Sequence, residues 1–121
     1  MQNEIPEIYE SDEVPLDRKV IHQVYVVPSV RFYWLIAELD KRENIAFGFA
    51  NLNNDTFAEW GYIPIMELLE NGALLVKDWK PCRFPEAKKA VEELLESEKL
   101  SDFAFTDEPK TRRMKGDVNG E

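Results

Sequence analysis

The sequence predicts an α+β protein, an antiparallel sheet of about five strands with one short and one longer helix packed on one face. Three observations predict it. Phe32, Tyr33, Trp34, Leu35 and Ile36 follow one another without a Gly or Pro, so a strand here is apolar on both pleat faces and belongs at a sheet centre. Ala87, Ala90, Val91, Leu94 and Leu95 recur at helical spacing behind Pro85, with charges between them. The intervening runs are strand-like and are cut by prolines and polar turn residues.

Taken in order, residues 1–17 hold Glu4, Glu7, Glu10, Asp12, Glu13 and Asp17 and no basic residue. Ile5, Ile8 and Tyr9 interrupt the charge, and Pro6 and Pro15 keep their predecessors out of helix. This is an acidic arm, extended and laid over a few apolar groups. Residues 19–27 are rich in β-branched side chains and read as one strand closed by Pro28. On it Val20, His22, Val24 and Val26 share a face. The short link to residue 31 makes it an antiparallel neighbour of the central strand.

In that central strand Tyr33, Leu35, Ala37 and Leu39 share one face, and Phe32, Trp34 and Ile36 the other. The polar residues 40–44 turn the chain into a second hairpin strand. There Phe47 and Phe49 are large on one face, and Ala46, Gly48 and Ala50 small on the other. After a polar turn, residues 57–63 resume a short strand. Pro64 opens about two turns of helix that bury Ile65, Leu68 and Leu69, and Asn71 with Gly72 ends it. Residues 73–79 form the last strand. Residues 86–98 are the C-terminal helix, with Glu92, Glu93 and Glu96 on its outer side. Residues 1–105 thus make one domain, and 106–121 a polar tail with too little apolar surface to order.

Charge and cysteine content narrow the function. A net charge of -9 disfavours direct nucleic-acid binding and anionic membranes, both of which call for clustered Lys and Arg. The basic cluster Lys110, Arg112, Arg113 and Lys115 is flanked by Asp107, Glu108 and Asp117 and has no adjacent aromatic ring, so it reads as part of a solubilising tail. A single cysteine, Cys82, permits neither an internal disulfide nor a thiolate metal cluster. The acidic N-terminus lacks the basic and apolar regions of a signal peptide, and no apolar run is long enough to span a bilayer. The expectation is a cytoplasmic, soluble protein.

No catalytic motif is present: no phosphate loop, paired cysteines or nucleophile elbow. The expectation is no catalytic residue, no cofactor and no metal. His22 sits among valines and reads as a satisfied sheet histidine rather than a general base. Cys82 lies in a loop and reads as a small loop residue rather than as a thiol whose pKa is lowered by the neighbouring charge of Arg83. Glu38 and Asp40 end the central strand and Glu59 starts another, and carboxylates at strand ends read as solvated; if they met, they would make a carboxylate pair or a divalent-cation site, the basis of a rival reading as a small-ligand or metal-dependent enzyme. Trp34, Trp60, Trp79, Tyr33 and Tyr62 exceed what a core of this size requires, and exposed aromatics favour protein interfaces. The leading reading is therefore a non-enzymatic protein-binding accessory. Its candidate binding residues are Glu7, Glu10, Asp12, Glu13, Trp60, Tyr62 and Trp79, and one specific form is an acidic decoy for a nucleic-acid-binding partner. The partner and the oligomeric state stay open.

In order, the motifs Ile5-Pro-Glu-Ile-Tyr9, Val14-Pro15, Val24-Tyr25, Phe32-Tyr-Trp34, Glu38-Leu-Asp40, Phe47-Gly48, Glu59-Trp-Gly-Tyr62, Met66-Glu-Leu-Leu69 and Trp79-Lys-Pro81 stand in this chain. Together they resemble the family called domain of unknown function 2958, over residues 5–85. The resemblance implies a small single-domain protein of a kind common on mobile genetic elements, with an accessory role. It brings no activity and no site residues. The helix from residue 86 and the tail lie outside it.

Overall fold

A strand that is apolar on both faces needs a partner along each edge and a cover over each face. In the computed structural model, which describes residues 5–96, the strand Phe32–Asp40 has all four. In chain order the strands are β1 (Val20–Ile21), β2 (Gln23–Val27), β3 (Phe32–Asp40), β4 (Ile45–Leu52), β5 (Glu59–Pro64), β6 (Leu74–Leu75) and β7 (Cys82–Arg83). The helices are α1 (Ile65–Glu70) and α2 (Phe84–Glu96). The main sheet is antiparallel with order β5-β4-β3-β2-β6, and β1 and β7 form a separate two-stranded pair.

The α+β class, the five-stranded sheet and the two helices agree with expectation. The helices do not share a face. Ala87, Val91, Leu94 and Leu95 of α2 pack with Ile21, Val24, Val26, Tyr33, Leu35, Ala37 and Phe49 on one side. Ile65 and Leu68 of α1 pack with Tyr25, Trp34, Ile36, Ala46 and Ile63 on the other. Since β3 is apolar on both faces, each needs its own cover, and α1 is placed by the end of β5 rather than by α2. Leu69 and Ala90, expected in these interfaces, are exposed.

Two irregularities move side chains between faces. Ile36 pairs with Gly48 and Glu38 pairs with Phe47, so Ala37 is an extra residue, a β-bulge. Beyond it the alternation reverses. Leu39 packs with Trp34 and Ile36 instead of with Leu35, and Glu38 is carried to the α2 side with Phe47 and Phe49. The first strand is likewise not continuous. It breaks at His22, whose N–H donates to Ile36 O at 2.8 Å, and Ile21 joins the same core as Val24. The last strand shrinks to Leu74–Leu75, and the short strand expected from residue 57 starts at Glu59 behind a 3₁₀ turn at Asp55–Phe57. Asp78 takes a left-handed φ of 62° in the turn that follows β6, so the chain cannot continue as a strand through Trp79.

At the far end of β3 a polar network fastens α2 to the sheet. The Tyr33 hydroxyl donates to Glu92 at 2.6 Å and accepts from Asn51 at 3.3 Å; Lys88 pairs with Glu92 at 2.8 Å. Burial, and then the bond to Glu92, hold the Tyr33 phenol well above its ordinary pKa. Glu92 is thus neutralised locally, against the expectation for the outer face of the helix. Residues 97–121, including the expected tail, its basic cluster and the last residues of the expected helix, lie outside the described residues.

Two contrasts check this packing. Trp34 is buried, and Trp34→Ala should lower unfolding free energy by about 3–5 kcal/mol. Gly48 and Gly61 face each other across β4 and β5, yet only one has room. A Cβ on Gly48 would lie 2.1 Å from the backbone oxygen of Leu35, whereas one on Gly61 meets nothing within 4 Å. Gly48→Ala should therefore cost about 2–3 kcal/mol or more, and Gly61→Ala should be neutral or stabilising by up to about 1 kcal/mol. Chemical denaturation of the three variants reads both contrasts.

Candidate functional site

The bulge at Ala37 decides what happens to Glu38. A carboxylate turned toward a core must be paired or heavily hydrogen-bonded, and Glu38, 2% exposed, is both. It receives the N–H of Tyr9 at 2.9 Å, the N–H of Ser11 at 3.1 Å and the Ser11 hydroxyl. The Lys19 ammonium lies 3.6 Å away and is equally buried. That ammonium also donates to Ser11 O at 2.6 Å and Ser11 Oγ at 2.8 Å, and sits 5.8 Å from the Phe47 ring centroid.

The arm folds locally to make this possible. Instead of running extended it turns on itself, with Glu10 N–H donating to Glu7 O, Asp12 N–H to Tyr9 O and Val14 N–H to Ser11 O. Tyr9 adopts φ 74°, a left-handed conformation unusual for an aromatic residue, in the turn that presents the N–H groups of residues 9 and 11 to one carboxylate. β2 pairs with β3 only as far as Ile36, and the N–H of Leu39 beyond it goes to Pro6 O at 2.8 Å. The arm therefore closes an edge that β2 leaves open.

Burial by itself would raise the Glu38 pKa. The Ser11 hydroxyl, the two arm N–H groups and the Lys19 charge outweigh it and hold the carboxyl below its ordinary value of 4.5. Glu38 is thus an ionised structural acceptor. The other two strand-end carboxylates do not join it. Asp40 accepts the N–H groups of Arg42 and Glu43 and forms the hairpin turn. Glu59 pairs with Ala50, which pairs with Trp34, so it stands at the far end of β5 from Tyr62, on the other sheet face from Glu38. Among the described residues no three His, Cys, Asp or Glu side chains come together as a metal site.

The expected binding residues divide. Glu7, Glu10, Asp12 and Glu13 are all exposed on the arm, and Glu10 Oε1 also accepts the Glu7 N–H at 2.6 Å. Tyr62 is exposed, and its hydroxyl lies 3.4 Å from that of Tyr9, which is exposed too. Trp60 and Trp79 belong elsewhere. Trp60 stacks 5.6 Å from Phe47 and lies 5.0 Å from Phe84 at the start of α2. The Trp79 indole donates to Ile21 O at 3.0 Å. Both are half-buried packing residues, and the aromatic surplus is largely this row, running from Phe84 through Trp60 and Phe47 to Tyr62. Tyr9, Tyr62, Val14, Leu16 and Asp12 line a cleft of about 300 Å³ above Lys19 and Glu38.

The two remaining candidates also change character. His22 Nδ1 is buried and has no hydrogen-bond partner, so the ring is not satisfied; burial lowers its pKa. Cys82 sits in β7, not in a loop, and burial followed by the Glu86 charge pushes its thiol up, which agrees with a small packing residue and not with a thiol activated by Arg83. Lys19 and Ser11 are not visible as site residues in the sequence. The available signal is Glu38 itself, the one charge inside an apolar strand, which demands a cation from elsewhere in the chain.

The pair makes a pH prediction with a definite sign. Because the folded-state pKa of Glu38 is lowered, its stabilisation is complete above about pH 4.5 and is lost as pH falls through the lowered value. Glu38→Gln leaves Lys19 buried without its counter-charge and should cost about 3–5 kcal/mol at neutral pH. Thermal melts across pH should show the gap between wild type and variant narrowing on acidification. A constant gap would mean that the charge of Glu38 plays no part.

Compared with models of known protein families, with curated proteins and with solved structures, the chain matches none of them.

Proposed function

We propose that this protein is a non-enzymatic binding accessory that docks a basic protein partner through its N-terminal arm. What supports the reading is one arrangement. The arm's backbone is turned inward to hold Glu38, and that leaves its side chains outward: Glu7, Glu10, Asp12 and Glu13 exposed beside an exposed centre of Tyr9, Tyr62, Val14 and Leu16. An aromatic centre with a polar, charged border is the usual anatomy of a protein interface. The carboxylates have no ion-pair partner among the described residues, whereas Glu38 and Glu92 do. Their field favours a partner of opposite charge.

In its most specific form the partner is itself a nucleic-acid-binding protein, and the arm's acids occupy the groove that would take phosphates. An accessory of this kind agrees with the mobile-element setting that the family resemblance implies. Glu38 is engaged by the arm and Glu59 lies on the opposite face, so the enzyme reading gains no support from those residues. No helix among the described residues is long and apolar enough to cross a membrane.

The test is affinity capture from the native host at low and at high salt, with the wild-type chain and with two variants. The first combines Glu7→Gln, Glu10→Gln, Asp12→Asn and Glu13→Gln; the amide at position 10 keeps an oxygen that can accept the Glu7 N–H. The second combines Tyr9→Ala and Tyr62→Ala. The expected result is a specific partner whose retention falls about tenfold or more in high salt and with the neutralised arm, and is lost with the tyrosine variant. The melting temperature of the neutralised variant should be unchanged or higher, since like-charge repulsion is relieved. A partner retained equally at both salt concentrations by all three proteins would overturn the reading.

A further inference from the structure

On its other side the arm walls a second cleft, and its chemistry is opposite to that of the acidic surface. The cleft has a volume of about 450 Å³ and is bounded by the arm, the 3₁₀ turn at Leu16–Arg18, β1 and β7. Its lining carries Arg18, Lys19 and Arg83 against one carboxylate, Glu13, in a chain whose net charge is -9. Lys19 is matched by Glu38. Arg18 and Arg83 make no salt bridge among the described residues. They come from separate elements: Arg83 is the cross-strand partner of Val20, and Arg18 precedes Val20 by two residues. Two arginines lining one hollow, neither with a salt-bridge partner among the described residues, suit an oxyanion.

Two further features narrow the ligand. The remaining wall is apolar, with Val14, Pro15, Val20 and Ala37 among its residues, so a bare inorganic ion would leave most of the hollow without contact. His22 also lines the cleft, but its Nδ1 is buried away from solvent and offers an occupant no contact. The volume falls within the range of small-molecule sites.

We propose that this cleft binds a small organic anion, an oxyanion head held between Arg18 and Arg83 with a short apolar body against Val14, Pro15, Val20 and Ala37. The head is a carboxylate or a phosphate monoester, which present the same edge of oxygens to guanidinium. The cleft shares Glu13 and Val14 with the docking surface of the arm, but its anion-binding groups, Arg18 and Arg83, lie outside that surface, so the site does not rest on the docking role.

The test titrates the ¹⁵N-labelled full chain, followed by two-dimensional NMR, with four probes: hexanoate, hexyl phosphate, inorganic phosphate and hexanol. Saturable shifts are expected for hexanoate, hexyl phosphate or both at Ser11, Arg18, Val20, His22 and Arg83. The tighter of the two identifies the head. Inorganic phosphate should bind at least about tenfold more weakly for want of apolar contact, and hexanol, lacking the head, should not saturate. In Arg18→Gln/Arg83→Gln the dissociation constant of the better probe should rise about tenfold or more. Both arginines are exposed, so the variant is expected to fold, and its spectrum reports this directly. The proposal is overturned if none of the probes gives saturable shifts at these residues, if hexanol binds as well as the anions, or if the double variant binds with wild-type affinity.

Discussion

The buried pair of Lys19 and Glu38 is the constraint on which the rest of this structure depends. Two charges at 4% and 2% exposure are tolerated in a protein interior only when each is compensated, and here neither compensates the other alone. At 3.6 Å the ion pair is not a close one. Most of the direct hydrogen bonding comes from the arm: the N–H groups of Tyr9 and Ser11 and the Ser11 hydroxyl for Glu38, the Ser11 hydroxyl and carbonyl for Lys19. Burying the pair thus requires the arm to be in place, and the arm in turn needs the pair to anchor it. Lys19 O also accepts the N–H of Phe84 at 2.9 Å. One residue thereby ties the arm, the sheet and the start of the long helix.

This arrangement explains why an acidic, polar-looking segment is ordered. In residues 5–15 Ile5, Pro6 and Ile8 are half-buried, whereas Tyr9 and Val14 are exposed. To that modest apolar contact the segment adds polar contacts in a water-poor site, where such bonds are stronger than at the surface. The same inward use of the backbone sets the direction of the side chains, so the acidic rim and the Tyr9–Tyr62 contact follow from the way Glu38 is held. Val14 and Pro15 then separate two clefts of different chemistry, one acidic and aromatic, the other cationic and apolar.

The sheet is legible in the sequence because its signals are local. Both faces of β3 are apolar, β4 alternates large with small, and Pro64 and Pro85 stand where helices begin. The features that build the site are not local. A β-bulge leaves no mark in the run Leu35-Ile36-Ala37-Glu38-Leu39, where either register satisfies the apolar count, and only the cross-strand pairing with Gly48 and Phe47 fixes it. For that reason Glu38 reads as a solvated strand end, and strict alternation puts Leu39 on the wrong face. The break at His22 is hidden likewise, since β-branched residues on both sides favour strand without saying which sheet. Trp60 looks like surplus because composition cannot reveal a packed row joining a helix to a sheet edge, and Trp79 because it cannot reveal the indole's bond to Ile21 O. The arm's acids are legible as surface residues because exposed carboxylates are what charge alone predicts.

The arm's attachment is also a long-range closure. Tyr9 and Ser11 reach Glu38 across 29 and 27 residues of chain, and a loop of that length costs chain entropy that the local turns and hairpins do not. Were the arm displaced, water would reach a lysine and a glutamate that are otherwise dry, yet no pairing among β2 to β6 would have to break, because the arm meets that sheet through the Leu39 N–H and the Glu38 carboxylate. A change in the arm would therefore act on the solvation of this pair rather than on the pairing of the strands.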